Sequence, residues 1–123
     1  MIKFLIVFMG AGLGGGLRYL VSVYTNKAMP LLLPYGTLIV NVVGSFILGI
    51  LIFGLDEKEL LHPSLKLLLG VGFCGGLTTF STFSLETVLL LRNSQFMFAA
   101  FNIFLNLILT IASIYLAYIL TGK

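Results

Sequence analysis

The sequence predicts an all-α membrane protein of four transmembrane helices, the third broken at mid-membrane, and three observations support this. Of 123 residues, 59% are hydrophobic and only 9% charged, with a mean hydropathy of +1.16. A water-soluble domain of this size has too little polar surface to cover that composition. Turn and charge signals divide the chain into four apolar stretches of about twenty residues, the length that crosses a bilayer, and leave no room for a catalytic domain outside it. The third stretch, GVGFCGGLTTFSTFSLE from Gly70 to Glu86, contains glycines, five hydroxyls and a carboxylate that crossing lipid alone does not require.

The first span covers about residues 4–24. Lys3 ahead of an apolar run imitates a secretory signal, but the length, the glycines and the missing small-residue cleavage site favour a retained span. Gly10 with Gly14, and Gly12 with Gly16, form two interleaved small-xxx-small pairs that let a neighbouring backbone approach, making this helix a packing centre. Arg18 near its far end either snorkels to headgroups or has a structural or ion-attracting role at the mouth of a water-filled vestibule. A loop marked by Asn26, Lys27, Pro30 and Pro34 leads to the second span, about residues 35–54. There Thr37, Asn41 and Ser45 recur every four residues on one face, with Gly44 beside them. Asn41 has two donor hydrogens and an acceptor to place, so it either glues two helices together or lines a pore.

After a charged loop at Asp56 to Pro63, whose DEKE run and His62 read as a solvated face, the third span covers about residues 64–91. Gly75 and Gly76 lower the cost of leaving helical geometry, and the hydroxyls can satisfy backbone groups that a break sets free. The expected break is at 75–79, with the first half ending near Gly75 and the second starting near Thr79. Carbonyls left at one half-helix end and amides at the next make an ion site. The plainer alternative is that the small residues only allow close packing. Beyond the break, Phe80 and Phe83 share one flank, and Thr79, Thr82 and Glu86 an adjacent one. The rings either pack or, edge-on, offer their positive rims to an anion. Glu86 is either a carboxylate at headgroup level or a partner for a polar cluster. The fourth span, about residues 96–120, carries Asn102, Asn106, Thr110 and Ser113 as a polar stripe. Polar faces on three spans converge on a wet interior that conducts or binds something small.

With an even number of spans, Lys3, Lys58, Lys66 and Lys123 fall on one side and Arg18, Lys27 and Arg92 on the other. Four against three leaves almost no positive-inside bias, so the chain can insert in both directions. Four helices hardly enclose a pathway; a homodimer is expected, and an antiparallel one is allowed where both orientations coexist. No basic run marks a nucleic-acid or polybasic lipid patch. The single Cys74 excludes an intrachain disulfide, and neither it nor His62 belongs to a spaced metal cluster. A rival function, a small dual-topology cation or multidrug exporter, requires a carboxylate embedded in the membrane, and Glu86, late in span three, is the sole candidate.

Three motifs then carry a resemblance over the whole chain: GAGLGGGLRY at Gly10 to Tyr19, GTLIVNVVGSF at Gly36 to Phe46, and GFCGGLTTFSTFS at Gly72 to Ser84. They resemble the small bacterial fluoride channels of the CrcB (Fluc) family. The resemblance implies a non-enzymatic, multi-pass channel of a bacterial or archaeal cell membrane that exports fluoride passively. It also implies an antiparallel, dual-topology homodimer with two pores and no other protein partner. By the same motifs, the ring edges of Phe80 and Phe83 contact fluoride, Asn41 is a pore-facing amide, and Arg18 belongs to a vestibule. Thr79, Thr82, Ser84 and Glu86 lie on or near the polar track. Gly75 and Thr78 match positions whose backbone carbonyls, from both subunits, hold a structural sodium ion. Asn106 and Thr110 rest on the periodicity of span four.

Overall fold

The computed structural model describes residues 1–28 and 33–121; Pro30 of the expected loop and Lys123 of the charge count lie outside them. Helix α1 is Ile2–Ala28, and α2 is Tyr35–Gly49, running on into π-helical turns at Ile50–Asp56. The third stretch begins with α3 at Pro63–Leu65, continues as a π-helical run at Lys66–Cys74, and ends with α4 at Gly75–Leu77. Helix α5 is Ser81–Arg92 and α6 is Phe96–Thr121. Pro63 begins the third stretch, where its missing N–H costs nothing, and the His62 ring nitrogen Nδ1 caps the first turn by accepting from the Ser64 amide. Four helical stretches are long and apolar enough to cross a membrane, which makes this a multi-pass membrane protein.

The outside is greasy. Phe8, Leu13, Phe104 and Ile111 stand exposed, whereas Asn102 and Asn106 are buried, the inverse of a water-soluble surface. Helix α1 packs chiefly on the third stretch, and α2 chiefly on α6. Glycine makes the first pairing possible from both sides. A Cβ on Gly10 would collide with the Leu68 carbonyl, and one on Gly14 with the Phe73 carbonyl. Reciprocally, a Cβ on Gly72 would sit 2.8 Å from the Val7 oxygen, and one on Gly76 would collide with the Ala11 carbonyl. The Gly10/Gly14 pair therefore interlocks with Gly72/Gly76, while Gly12 and Gly16 have nothing within 4 Å of an added Cβ. Of the two interleaved pairs in span one, a single pair makes the close approach within the chain.

The backbone of the third stretch leaves helical geometry later than its glycines suggest. Gly75 is helical at φ −63°, ψ −36°, and the first extended residue is Thr78 at φ −87°, ψ 158°. The reason is local. The Thr78 amide and hydroxyl both donate to the Cys74 carbonyl, at 3.0 and 2.9 Å, which closes the last turn. The next amide, Thr79, is taken by a side chain of another helix. The π-helical winding of the two runs leaves no mark in their residue types. The runs meet at their outer ends, where the Lys66 ammonium lies 3.0 Å from the Asp56 carboxylate.

Candidate ion pathway

Helices α2, α5 and α6 and the third stretch wall a groove of about 460 Å³. Asn41, Thr79, Phe80, Phe83, Asn106 and Thr110, all expected site residues, line it. Gly75 and Thr78 also reach its wall, with Ser45 one turn along from Asn41 and Lys66 at the edge. The two rings lie 5.4 Å apart at 56°, but their settings differ: Phe80 is 72% exposed and Phe83 only 7%.

Buried amides form the floor. Asn41 donates from Nδ2 to the Thr79 carbonyl at 3.1 Å and to Asn106 Oδ1 at 2.9 Å, and its Oδ1 accepts the Thr79 amide at 2.8 Å. The Asn41 amide is thus fully engaged within the chain: it both glues helices and lines the groove. Asn106 Nδ2 donates in turn to the carbonyl and Oδ1 of Asn102, and Thr110 turns its hydroxyl back onto the Asn106 carbonyl.

Two backbone carbonyls lose their helical donors here. The i+4 donor of Gly75 is the Thr79 amide, which goes to Asn41; that of Thr78 is the Thr82 amide, which donates to the Thr79 hydroxyl at 3.1 Å. A Cβ added at Gly75 would meet nothing within 4 Å, so that side of the backbone is open. Hard oxygen donors without a competing hydrogen bond suit a small hard cation. Among the described residues, no group of His, Cys, Asp and Glu side chains could hold a metal.

Other expected site residues stand apart from the groove. Arg18 donates from Nε to the Gly76 carbonyl at 3.0 Å, bracing the end of α4 from α1. The sequence offered snorkelling to headgroups, or a structural or ion-attracting role at a vestibule, without naming a partner in the third stretch. Glu86 accepts from the buried Thr37 hydroxyl at 3.0 Å through Oε2, while its buried Oε1 has no partner among the described residues. Thr82 and Ser84 are half-buried and do not line the groove. Sequence reasoning missed Thr87, which accepts from Asn102 Nδ2 at 2.9 Å and donates to the Phe83 carbonyl at 2.8 Å. Thr87 is one of two threonines on α5 and no periodicity singles it out, although Asn102 stood in the polar stripe of span four.

A family model described as CrcB-like protein, Camphor Resistance (CrcB), matches residues 5–118. The chain belongs to the CrcB family. Its relatives include a protein of Shewanella sp. (strain ANA-3) named fluoride-specific ion channel FluC, 45% identical over 112 residues, covering 91% of this chain and 90% of the relative. A protein of the same name from Shewanella sp. (strain W3-18-1) is 44% identical over 116 residues, covering 94% and 93%. One from Shewanella oneidensis is 44% identical over 112 residues, covering 91% and 90%. These CrcB-family relatives are named as ion channels, not as enzymes, and they are bacterial.

Proposed function

We propose that this CrcB-family chain is a fluoride-selective channel that passes the ion down its gradient. It works as an antiparallel homodimer with two pores. The observation that carries this reading is the groove, where two phenylalanine rings and a band of hydroxyls and amides meet over an otherwise apolar wall. Fluoride sheds its hydration only where many weak donors replace water in steps. Hydroxyls and ring edges serve without the deep trap that a buried Lys or Arg would form. Asn41 comes to the anion only by releasing Asn106 or Thr79, so it acts through a change of partner, not as an idle donor. Thr82, Ser84 and Glu86 extend the polar track beyond the groove, and Arg18 stands behind it.

A single copy leaves the groove one-sided and Phe80 exposed, and a second copy in the opposite orientation completes the wall. The break then lies at mid-depth, facing its own copy across an in-plane axis. Gly75 and Thr78 carbonyls, two from each chain, are the residues that would hold sodium. Bound there, sodium supplies a fixed positive charge that keeps the path attractive to anions. A cation exporter is the weaker reading, because Glu86 is tied to Thr37 and lies off the groove wall. The test is efflux from liposomes containing the purified protein alone, read with a fluoride electrode beside a chloride control. Fluoride should leave far faster than chloride; equal fluxes overturn the reading.

A further inference from the structure

We infer that Thr87, which neither motif nor periodicity placed in the site, and Asn102, which stood only in the polar stripe of span four, are positioning residues for the cation cage. The inference rests on the sodium reading above. Its argument is the polarity of a buried chain of hydrogen bonds. The Thr87 hydroxyl spends its one hydrogen on the Phe83 carbonyl and can only accept from elsewhere. Asn102 must therefore turn its NH2 toward Thr87, which leaves its Oδ1 facing Asn106. Asn106 must then turn its NH2 toward Asn102, which leaves its own Oδ1 facing Asn41. Asn41 is oriented likewise, and its Oδ1 meets the Thr79 amide.

Each link fixes the flip of the next, and the last draws the Thr79 amide off the Gly75 carbonyl. Were the Asn41 amide to turn over, its NH2 would face the Thr79 N–H, donor against donor. That amide would then be free to fold back and close on Gly75, continuing the helix through the cage. Thr87, Asn102, Asn106 and Asn41 are 7%, 2%, 4% and 8% exposed, so water does not stand in for a lost link. A threonine on α5 and an asparagine on α6, neither touching the ion, thus hold one of its ligands open.

The experiment is a sodium titration of thermal unfolding of the purified protein, with N-methylglucamine holding ionic strength constant. Thr87→Val keeps the shape and removes the acceptor. It should raise the sodium concentration for half-maximal stabilisation about tenfold, the worth of one buried hydrogen bond. Thr87→Ser should restore the wild-type midpoint. Asn102→Ala cuts the chain one link on and should act alike. A variant that is less stable without sodium but keeps the wild-type sodium midpoint shows a merely structural role and overturns the inference, as does a wild type that sodium fails to stabilise. In the wild type without sodium, the Thr79 amide should be protected from hydrogen exchange; fast exchange overturns the inference with no variant needed. Fluoride efflux is measured on the same preparations. A shifted sodium midpoint in a protein that passes no fluoride supports this inference and counts against the channel reading alone.

Discussion

Replacing Gly14 with alanine, and separately Gly12, sets one helix propensity against two environments. Both glycines lie within α1, so alanine gains each variant about 1 kcal/mol of intrinsic helix preference. At Gly14 the new methyl would meet the Phe73 carbonyl and would lie 2.7 Å from the Leu77 nitrogen and 3.1 Å from the Gly76 carbonyl carbon. All are backbone atoms, which cannot rotate aside as a side-chain tip does. Ordinary carbon contact needs about 3.5–4.0 Å, so the third stretch must move back by on the order of 1 Å. Overpacking of this kind costs about 1–3 kcal/mol. At Gly12 nothing lies within 4 Å, and the propensity gain stands alone. The difference between the two variants isolates the packing term, because their chemistry and propensity are the same. Graded denaturation in detergent micelles, followed by circular dichroism, should place Gly14→Ala about 1–3 kcal/mol below Gly12→Ala. Equal stability of the two would refute the interlocked pairing of α1 with the third stretch.

Three further outcomes are expected. Phe80→Ile and Phe83→Ile remove the polarised ring edge while keeping an apolar side chain. Fluoride flux should fall steeply in both, while the dimer survives size-exclusion chromatography. Unchanged flux in both would make the rings packing alone. Thr37→Val strips Glu86 of the hydrogen bond from α2 and should destabilise the fold by about 1–3 kcal/mol, with Thr37→Ser restoring it; a neutral Thr37→Val would show that the carboxylate has another partner. A cysteine engineered at Lys58, on the loop after α2, should be labelled from both faces of the membrane, since buried Cys74 stays out of reach. Labelling from one face only would refute dual topology.

The spans were legible in the sequence because hydropathy and length act over some twenty residues at once. The helices begin and end within a few residues of the expected bounds. The point of departure inside the third stretch was harder to read because glycine has two uses. Gly76 serves the close approach to Ala11, Gly75 stays helical, and the turn itself comes from Thr78 closing on Cys74 and from Asn41 capturing the Thr79 amide. Sequence spacing put Asn41, Asn106 and Thr110 on polar faces of their helices, and the groove runs along those faces, since a face of a helix is a local property. It could not say that both Asn41 donors were already engaged, nor that Glu86 would meet Thr37, because those pairings span helices and depend on packing. Thr87 gave no signal, because nothing in the spacing sets it apart from the other hydroxyls of α5.

The order in which the helices meet has a consequence for how the chain is made. Helix α1 rests chiefly on the third stretch and α2 on α6, so neither principal pairing joins helices adjacent in sequence. The notch at Gly10 and Gly14 must therefore wait, open to lipid, until Gly72 and Gly76 have been synthesised and inserted. During that interval, lipid or an unrelated helix with small residues competes for the same surface, and a hairpin of the first two helices cannot mature by itself. Synthesis adds about 5–20 residues per second, so the exposed interval lasts some seconds. Pausing translation before the third stretch should lengthen it and divert chains to quality-control proteolysis, while a pause once the third stretch has been inserted should do little.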